Sequence, residues 1–525
     1  MYKHLSSFFF LCLLTGTTLA QRNVILIIAD DLGTDYCGYY ENHLDTVAMP
    51  NIRRLLSRGV RFKNAWSNPL CSPTRAGILT GRYSFRTGVG DAVGGVGSAV
   101  LDTSELTIPR MLQYFQPGAI AKANIGKWHL QLPNPVSNYY FPNKMGYDHF
   151  EGNFSGVLNS YTNWTKVTNG VASNVTNYAT TETANNAIAW VKKQKKPFFL
   201  WLAFNAPHAP FHLPPTDLHS YKSLSGTPAD ISANPKPYFK AAVEAMDHEI
   251  GRLFDSLLVY KQFDNTDIIF IGDNGDDSYV AQNKGSAKGS IYQEGISVPF
   301  IISGPSIVNP GRISDALVNT HDLFATILEL FGFDKWRSKI SSSKPVDSKS
   351  ILPILKNSQT EIRDWTFSEV FKNIAVAGDG KTMRNAKYKL LDFDNGTQKF
   401  FNLAIDPMEN MDLLKMPLKP EAATAYYYLC NEMNKLLSMN RFCDITATGE
   451  IPVDEQIEVF PNPAKEELTI RNADDDTPLL LLNSLGQVVI IGKELIEQEF
   501  RHLPTGIYFL QCSGRYPQVI RLVKQ

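Results

Sequence analysis

Net charge, cysteine and long apolar runs are all scarce in this chain, and each scarcity excludes something. The 51 Lys and Arg against 52 Asp and Glu leave a formal charge of −1 over 525 residues. No overall field therefore draws the protein to nucleic acid or to an anionic membrane surface. Past the first twenty residues no stretch is long and apolar enough to span a bilayer, so the mature chain is expected to have no integral membrane segment. Nor is there an internal repeat or a low-complexity tract.

The apolar run that does occur stands at the start. Lys3 and His4 precede Phe8–Leu14, and Thr18-Leu19-Ala20 ends in small residues suited to cleavage before Gln21. That order reads as an export signal over residues 1–20, and the run is short for a membrane anchor. Of the six cysteines, Cys12 would leave with the signal. Cys430 and Cys443 are close enough to pair in an oxidising compartment, and Cys37 and Cys512 read as buried small hydrophobes. Cys71, within "NPLCSPTRAGILTGR", has no second cysteine nearby and is placed like neither a disulfide half nor a zinc ligand.

Hydrophobic residues at 43% and charged residues at 20% are ordinary for a globular protein, and 525 residues predict one large unit with smaller additions. From Gln21 to about residue 340, short apolar runs (Val24–Ala29, Ala119–Ile125, Phe198–Phe204, Asp267–Ile271, Pro299–Ile302) alternate with stretches of helical spacing (Pro50–Arg58, Thr183–Lys193, Tyr238–Leu258). This predicts an α/β fold: a large mixed, mostly parallel sheet covered by helices on both faces. A Ser- and Lys-rich linker, Ser338–Ser350, leads to a small strand-rich subdomain with a late helix near Ala422–Met439. From Glu450, short strands with Asn-Pro, Gly and Pro turns predict a terminal β-sandwich.

Four of the strands end on chemically able residues: "VILIIADDLG" on Asp30 and Asp31, "DIIFIGDNG" on Asp273 and Asn274, "IAKANIGKWH" on Lys127 and His129, and "FFLWLAFNAPHAP" on His208. Open α/β sheets bind ligands beyond the carboxyl ends of their strands, so four such endings point to one site. Three carboxylates and an amide offer hard oxygen ligands, which suit Ca²⁺ or Mg²⁺ and not zinc. The alternative for Asp30-Asp31 alone is a helix cap. Arg75, Lys127 and Lys288 beside these acids would make a pocket for a substrate oxyanion. His129 and His208 are candidate acid–base groups, and the prolines flanking "PHAP" stiffen the backbone around His208.

"CSPTRAGILTGR" resembles the sulfatase signature, in which Cys-x-Pro-x-Arg directs oxidation of the cysteine to formylglycine. "ADDLG", "GKWH", "PHAP" and "GDNG" occur in the order found in type I sulfatases, and "YKLLDF" and "NLAIDPMEN" extend the likeness to about residue 445. The resemblance implies that Cys71 becomes formylglycine and that Asp30, Asp31, Asp273 and Asn274 hold Ca²⁺, in preference to Mg²⁺, together with its hydrate. It implies that Arg75 steadies the hydrate and that Lys127 and Lys288 bind sulfate oxygens. His208 would stand near the leaving oxygen, and His129 would act on the hydrate. One hydrate oxygen would attack sulfur, and deprotonation of the other would expel sulfate and restore the aldehyde. Cys71 is then a precursor and not a thiol catalyst, and its conversion needs a formylglycine-generating maturase as partner. After Lys288 the sequence departs from the family: "YQEGISVP" places Gln293, Glu294 and Ser297 where Tyr-Glu-Gly-Gly-Ile-Arg-Val-Pro is common.

"VFPNPAKEELTI", "LNSLGQVV" and "LPTGIYFLQ" resemble the C-terminal sorting domain read by the type IX secretion machinery. The expected division is a signal at 1–20, a catalytic unit at 21–345, its C-terminal subdomain at 346–448 and a sorting domain at 449–525. The expected product is a secreted or surface-attached enzyme that cleaves sulfate esters on a sulfated carbohydrate, for instance an algal polysaccharide such as ulvan. Residues in Tyr139–Trp164 and Phe211–Tyr238 are candidates to line the sugar cleft. The alternatives are a phosphatase or phosphodiesterase of the same superfamily, which would favour two zinc ions and a Ser or Thr nucleophile, and a non-catalytic sulfated-glycan binder.

Overall fold

Alternation along the first strand sets out the whole architecture. In β1 (Asn23–Asp30), Val24, Leu26 and Ile28 face one hydrophobic core and Ile25, Ile27 and Ala29 face another, all fully buried. A strand buried on both faces needs helices on both sides. The computed structural model describes residues 22–40, 43–94, 98–283, 285–372, 376, 378–439, 443, 457–473, 479–484, 487–512 and 518–525. The export signal expected at residues 1–20 lies outside them.

The other strands of the large sheet are β2 (Gly59–Trp66), β3 (Ala121–Gly126), β4 (His149–Gly152), β5 (Trp164–Thr168), β6 (Val171–Val175), β7 (Phe198–Pro207), β8 (Thr266–Gly272), β9 (Phe300–Ser303) and β10 (Arg312–Asn319). Their order is β10-β2-β9-β8-β1-β7-β3-β4-β5-β6. The central run β8-β1-β7-β3 is parallel throughout. Short β9 is antiparallel to both neighbours, and β5 and β6 close one edge as a hairpin. Helices α1 (Pro50–Leu56), α3 (Ala179–Lys193) and α4 (Pro235–Val259) pack on one face. Helices α2 (Cys71–Thr80) and α5 (Leu323–Leu330) pack on the other.

The second region is an antiparallel sheet, β11 (Thr366–Val370), β12 (Gly380–Arg384), β13 (Tyr388–Phe393) and β14 (Gln398–Asn402), packed by α6 (Pro420–Leu437). Cys430 and Cys443 form a disulfide, with Cα atoms 5.8 Å apart, and Cys37, Cys71 and Cys512 are free and buried. The Ser/Lys-rich stretch is no loose tether. Asp347 accepts from the Tyr83 amide and pairs with Arg86, and buried Ser348 receives the Ala325 amide, so this stretch is stitched to the large unit.

The terminal region, described by itself, has a two-stranded sheet, Glu458–Phe460 with Thr469–Arg471, and a four-stranded antiparallel sheet formed by Leu479–Asn483, Val488–Ile491, Gly506–Cys512 and Gln518–Lys524. A helix over Lys493–Glu499 was not expected; its Lys, Glu, Leu and Gln are good helix formers, and Ile496 anchors it in the core. Among the described residues no helix is long and apolar enough to cross a membrane.

Candidate active site

Parallel register gathers the four strand endings. Ala29 of β1 pairs with Gly272 of β8, so Asp30 and Asp31 leave the sheet beside Asp273 and Asn274. Gly126 of β3 pairs with Ala203 of β7, and the next amide, Lys127, donates to the Ala203 carbonyl at 2.8 Å. Gly126 has φ 102°, and a Cβ there would lie 1.9 Å from the Ala203 oxygen. Only glycine lets the chain turn Lys127 toward the site at this crossing. Asp31 (φ 62°) and His129 (φ 59°) hold left-handed backbones, a conformation that Asp and His tolerate better than most residues and that clusters at functional sites.

Cys71 is the first residue of α2, and Arg75 follows one turn later, so the Cys-x-Pro-x-Arg spacing puts both side chains on one helical face. Pro73 sits in the first turn, where its missing N–H costs nothing. Fully buried Arg75 donates Nε and Nη2 to Asp273 Oδ2 at 3.1 and 2.8 Å and Nη1 to the Lys127 carbonyl at 3.1 Å, while Nη2 stands 3.5 Å from Asp30 Oδ1. Lys127 Nζ donates to Asp30 Oδ2 at 2.5 Å and Lys288 Nζ to Asp31 Oδ2 at 2.7 Å. His208 Nε2 lies 3.5 Å from Asp31 Oδ2. Asn274 Nδ2 donates to Asp31 Oδ1 at 2.8 Å. Cys71 Sγ and His129 Nδ1 are 3.1 Å apart. All ten residues singled out from the sequence thus meet in one place.

Burial and charge set the protonation states. Burial pushes the Asp30 carboxyl up to about 8 despite Lys127, whereas the pull of His208 and Lys288 on Asp31 outweighs its burial and leaves it well below the usual range. Burial lowers His208 to about 4 and, with Lys127 and Arg75 beside it, holds His129 well below its usual value, so both rings are neutral near pH 7. Burial raises the Cys71 thiol, which keeps the group from acting as a thiolate. For Lys288, Asp31 outweighs burial and holds the ammonium charged.

Two oxygens in this cluster, Asp30 Oδ1 and Asn274 Oδ1, are buried without a hydrogen-bond partner. Unsatisfied buried acceptors are costly, and a hard cation satisfies them. Single ligand atoms of Asp30, Cys71 and Asp273 lie within 4.8 Å of one another. The oxygen-rich donor set therefore fits a hard divalent cation.

Above the cluster opens a cavity of about 570 Å³ lined by Cys71, His129, His208 and Lys288, and by Asp91, Gln131 and Ser155, which the sequence did not single out. Of the two stretches expected to line a sugar cleft, Tyr139–Trp164 contributes Ser155, Gly156 and Val157, and Phe211–Tyr238 contributes none of the lining. Lys127 and Arg75 lie beneath the floor with no exposed surface. The family-departing residues turn elsewhere: Gln293 accepts from Trp66 Nε1, Glu294 meets His43, and Ser297 Oγ accepts from Thr34. A larger hollow of about 1120 Å³ beside β10 and α6 contains none of the ten residues.

Residues 22–333, over half of the chain, match the sulfatase family model. The chain belongs to the sulfatase family. Residues 286–438 match the C-terminal domain of N-sulphoglucosamine sulphohydrolase, and residues 458–524 match a secretion system C-terminal sorting domain. Human N-acetylgalactosamine-6-sulfatase is 28% identical over 375 residues, covering 63% of this chain and 65% of that protein, so the chain spans just under two thirds of this relative's length. A sulfatase of Formosa agariphila is 26% identical over 437 residues, covering 74% of this chain and 82% of its own. Ps i-CgsB, solved in complex with k-i-k-neocarrahexaose, superposes with a TM-score of 0.66 at 26% identity, covering 79% of this sulfatase-family chain and 92% of that one.

Proposed function

We propose that the protein is a sulfuric ester hydrolase that removes sulfate from a sulfated carbohydrate, with formylglycine made from Cys71 and a calcium ion at its centre. The observation that carries this reading is the convergence of Cys71, the buried Asp30 and Asn274 oxygens without hydrogen-bond partners, and three cations, Lys288 at the floor of one open cavity and Lys127 and Arg75 beneath it. Bound calcium and the formylglycine hydrate would together supply an oxygen nucleophile for sulfur and a route by which sulfate leaves.

The chain's own residues account for the remaining work. Asp30, Asp31, Asp273 and Asn274 would hold the ion. Arg75, fixed by Asp273 and the Lys127 carbonyl, orients residue 71 from the same helical face. Lys288, and Lys127 after exchange of its Asp30 contact, would neutralise sulfate oxygens in a dry site where such contacts are strong. His208 stands at the cavity wall with its Nδ1 hydrogen committed to the Ala209 carbonyl; once the negative charge of a bound sulfate ester favours the protonated ring, Nε2 would deliver a proton to the departing alcohol oxygen. His129 Nδ1, 3.1 Å from residue 71, would take the proton whose loss frees sulfate. The raised Cys71 thiol favours a precursor over a thiolate nucleophile. A two-zinc phosphatase would want nitrogen-rich ligands and a hydroxyl nucleophile, where this cluster offers oxygen ligands and a thiol.

The same reading divides the chain into a signal at 1–20, a catalytic unit at 21–345, its subdomain at 346–448 and a sorting domain at 449–525; the order of the family matches over 22–333, 286–438 and 458–524 supports the last three, and the signal rests on the sequence alone. Export by the type IX route to the cell surface or medium, and dependence on a maturase, belong to the same proposal. The oligosaccharide held by the Ps i-CgsB structure supports a glycan substrate. The test is sulfate release from a panel of sulfated oligosaccharides by protein co-produced with a formylglycine-generating enzyme. Turnover that disappears in Cys71→Ala is expected; equal sulfate release by Cys71→Ala would overturn the proposal.

A further inference from the structure

Ser72, the variable residue between Cys71 and Pro73, has no place in the chemistry above, yet its side chain closes a ring of hydrogen bonds around His129. The hydroxyl is buried; it donates to the His129 carbonyl at 2.8 Å and accepts the Val93 amide at 3.0 Å. The Val93 carbonyl in turn stands 2.7 Å from His129 Nε2. A carbonyl only accepts, so Nε2 carries the hydrogen, and in the neutral ring Nδ1 is left bare, 3.1 Å from Cys71 Sγ. One serine hydroxyl therefore ties together the two main-chain segments that fix the ring, and it stands next to the residue the ring serves.

Gly156 completes the enclosure. A Cβ at this position would lie 2.2 Å from His129 Nε2, 2.4 Å from Cε1 and 2.8 Å from Cδ2, so the imidazole rests directly on the glycine. The left-handed backbone of His129 adds a reason for the tie, since a sparsely populated conformation persists only where surrounding contacts hold it.

We propose that Ser72 is a positioning residue: through Val93 and the His129 main chain it selects the tautomer and direction of the imidazole, so that a bare Nδ1 faces residue 71. Its consequence for turnover rests on the hydrolase reading, but the tautomer itself does not. Replacing Ser72 with alanine removes both hydrogen bonds and leaves a buried N–H and a buried carbonyl unpaired. Replacing it with threonine keeps the hydroxyl.

The test begins on unconverted protein with ¹⁵N-labelled histidine, the His129 signals being assigned by loss in His129→Gln. The parent protein should give one tautomer, protonated at Nε2 and bare at Nδ1. Ser72→Ala should give mixed or reversed tautomers, Ser72→Thr should restore the parent pattern, and Gly156→Ala, which displaces the ring from the other side, should disturb it as well. In matured protein, with conversion of Cys71 equalised by mass spectrometry, Ser72→Ala should lower kcat on an aryl sulfate about ten- to a hundredfold with KM little changed. A parent ring protonated at Nδ1, or an unchanged tautomer and kcat in Ser72→Ala, overturns the proposal. Tautomer changes in a matured protein that cleaves no sulfate ester would support the clasp and count against the hydrolase reading.

Discussion

Arg75→Met perturbs the charge balance of the site at one point. Arg75 is wholly buried, places two hydrogen bonds on Asp273 Oδ2 and lies 3.5 Å from Asp30 Oδ1. Methionine keeps much of the volume but leaves Asp30, Asp31 and Asp273 facing only Lys127 and Lys288 among the cations that pair with them. Removing one partner of a buried ion pair costs about 3–5 kcal/mol, because the remaining charge is left uncompensated. With calcium chelated, that loss should move the urea midpoint down by about 1–2.5 M for a slope near 2–3 kcal/mol/M. Unfolding can be followed through the buried Trp66, Trp128 and Trp201. Saturating calcium brings two positive charges to the same carboxylates, so the deficit should shrink by half or more. A loss under about 1 kcal/mol in chelator, or a deficit that calcium leaves unchanged, would refute this reasoning.

Chelation of the parent protein should lower its melting temperature and calcium should restore it, a ligand at a hundred times its Kd contributing about 2.7 kcal/mol; Asn274→Leu should blunt that response in a calorimetric scan. His208→Ala should reduce kcat about 10²–10⁴-fold, most for esters of poor leaving groups; an equal loss across leaving groups would argue against proton delivery to the departing oxygen. Burial and Arg363 hold His321 well below its usual value, so the unfolded chain takes up the proton first. Stability from His321 is thus complete above about pH 6.5 and falls as pH drops below it, and urea titrations of His321→Gln should show a flatter acid limb. Gly126→Ala, whose Cβ would meet the Ala203 oxygen at 1.9 Å, should prevent correct folding, seen as loss of soluble protein.

The site was legible where chemistry follows a buried strand. Apolar runs ending in Asp30-Asp31, Lys127, His208 and Asp273-Asn274 announce themselves, and parallel register brings such endings together. Arg75 was legible through the Cys-x-Pro-x-Arg motif, a spacing that the structure turns into one helical face. Asp91, Gln131 and Ser155 were not, because they stand on loops with no periodicity and reach the cavity only through tertiary folding. Ser72 and Gly156 were hidden for another reason: a small residue inside a motif, or a lone glycine in a loop, carries no signal until the atoms it touches are known. The composition of Ser338–Ser350 marked it as a linker but carried no sign that Asp347 and Ser348 find buried partners across the large unit.

The central claim, that Cys71 is the precursor of the catalytic group, is tested most directly by mass spectrometry of the tryptic peptide Asn64–Arg75. Protein co-produced with a formylglycine-generating enzyme should yield this peptide with the mass of an aldehyde in place of the thiol, at residue 71 alone. An unmodified thiol, from a maturase that converts a control sulfatase in the same cells, would contradict the account.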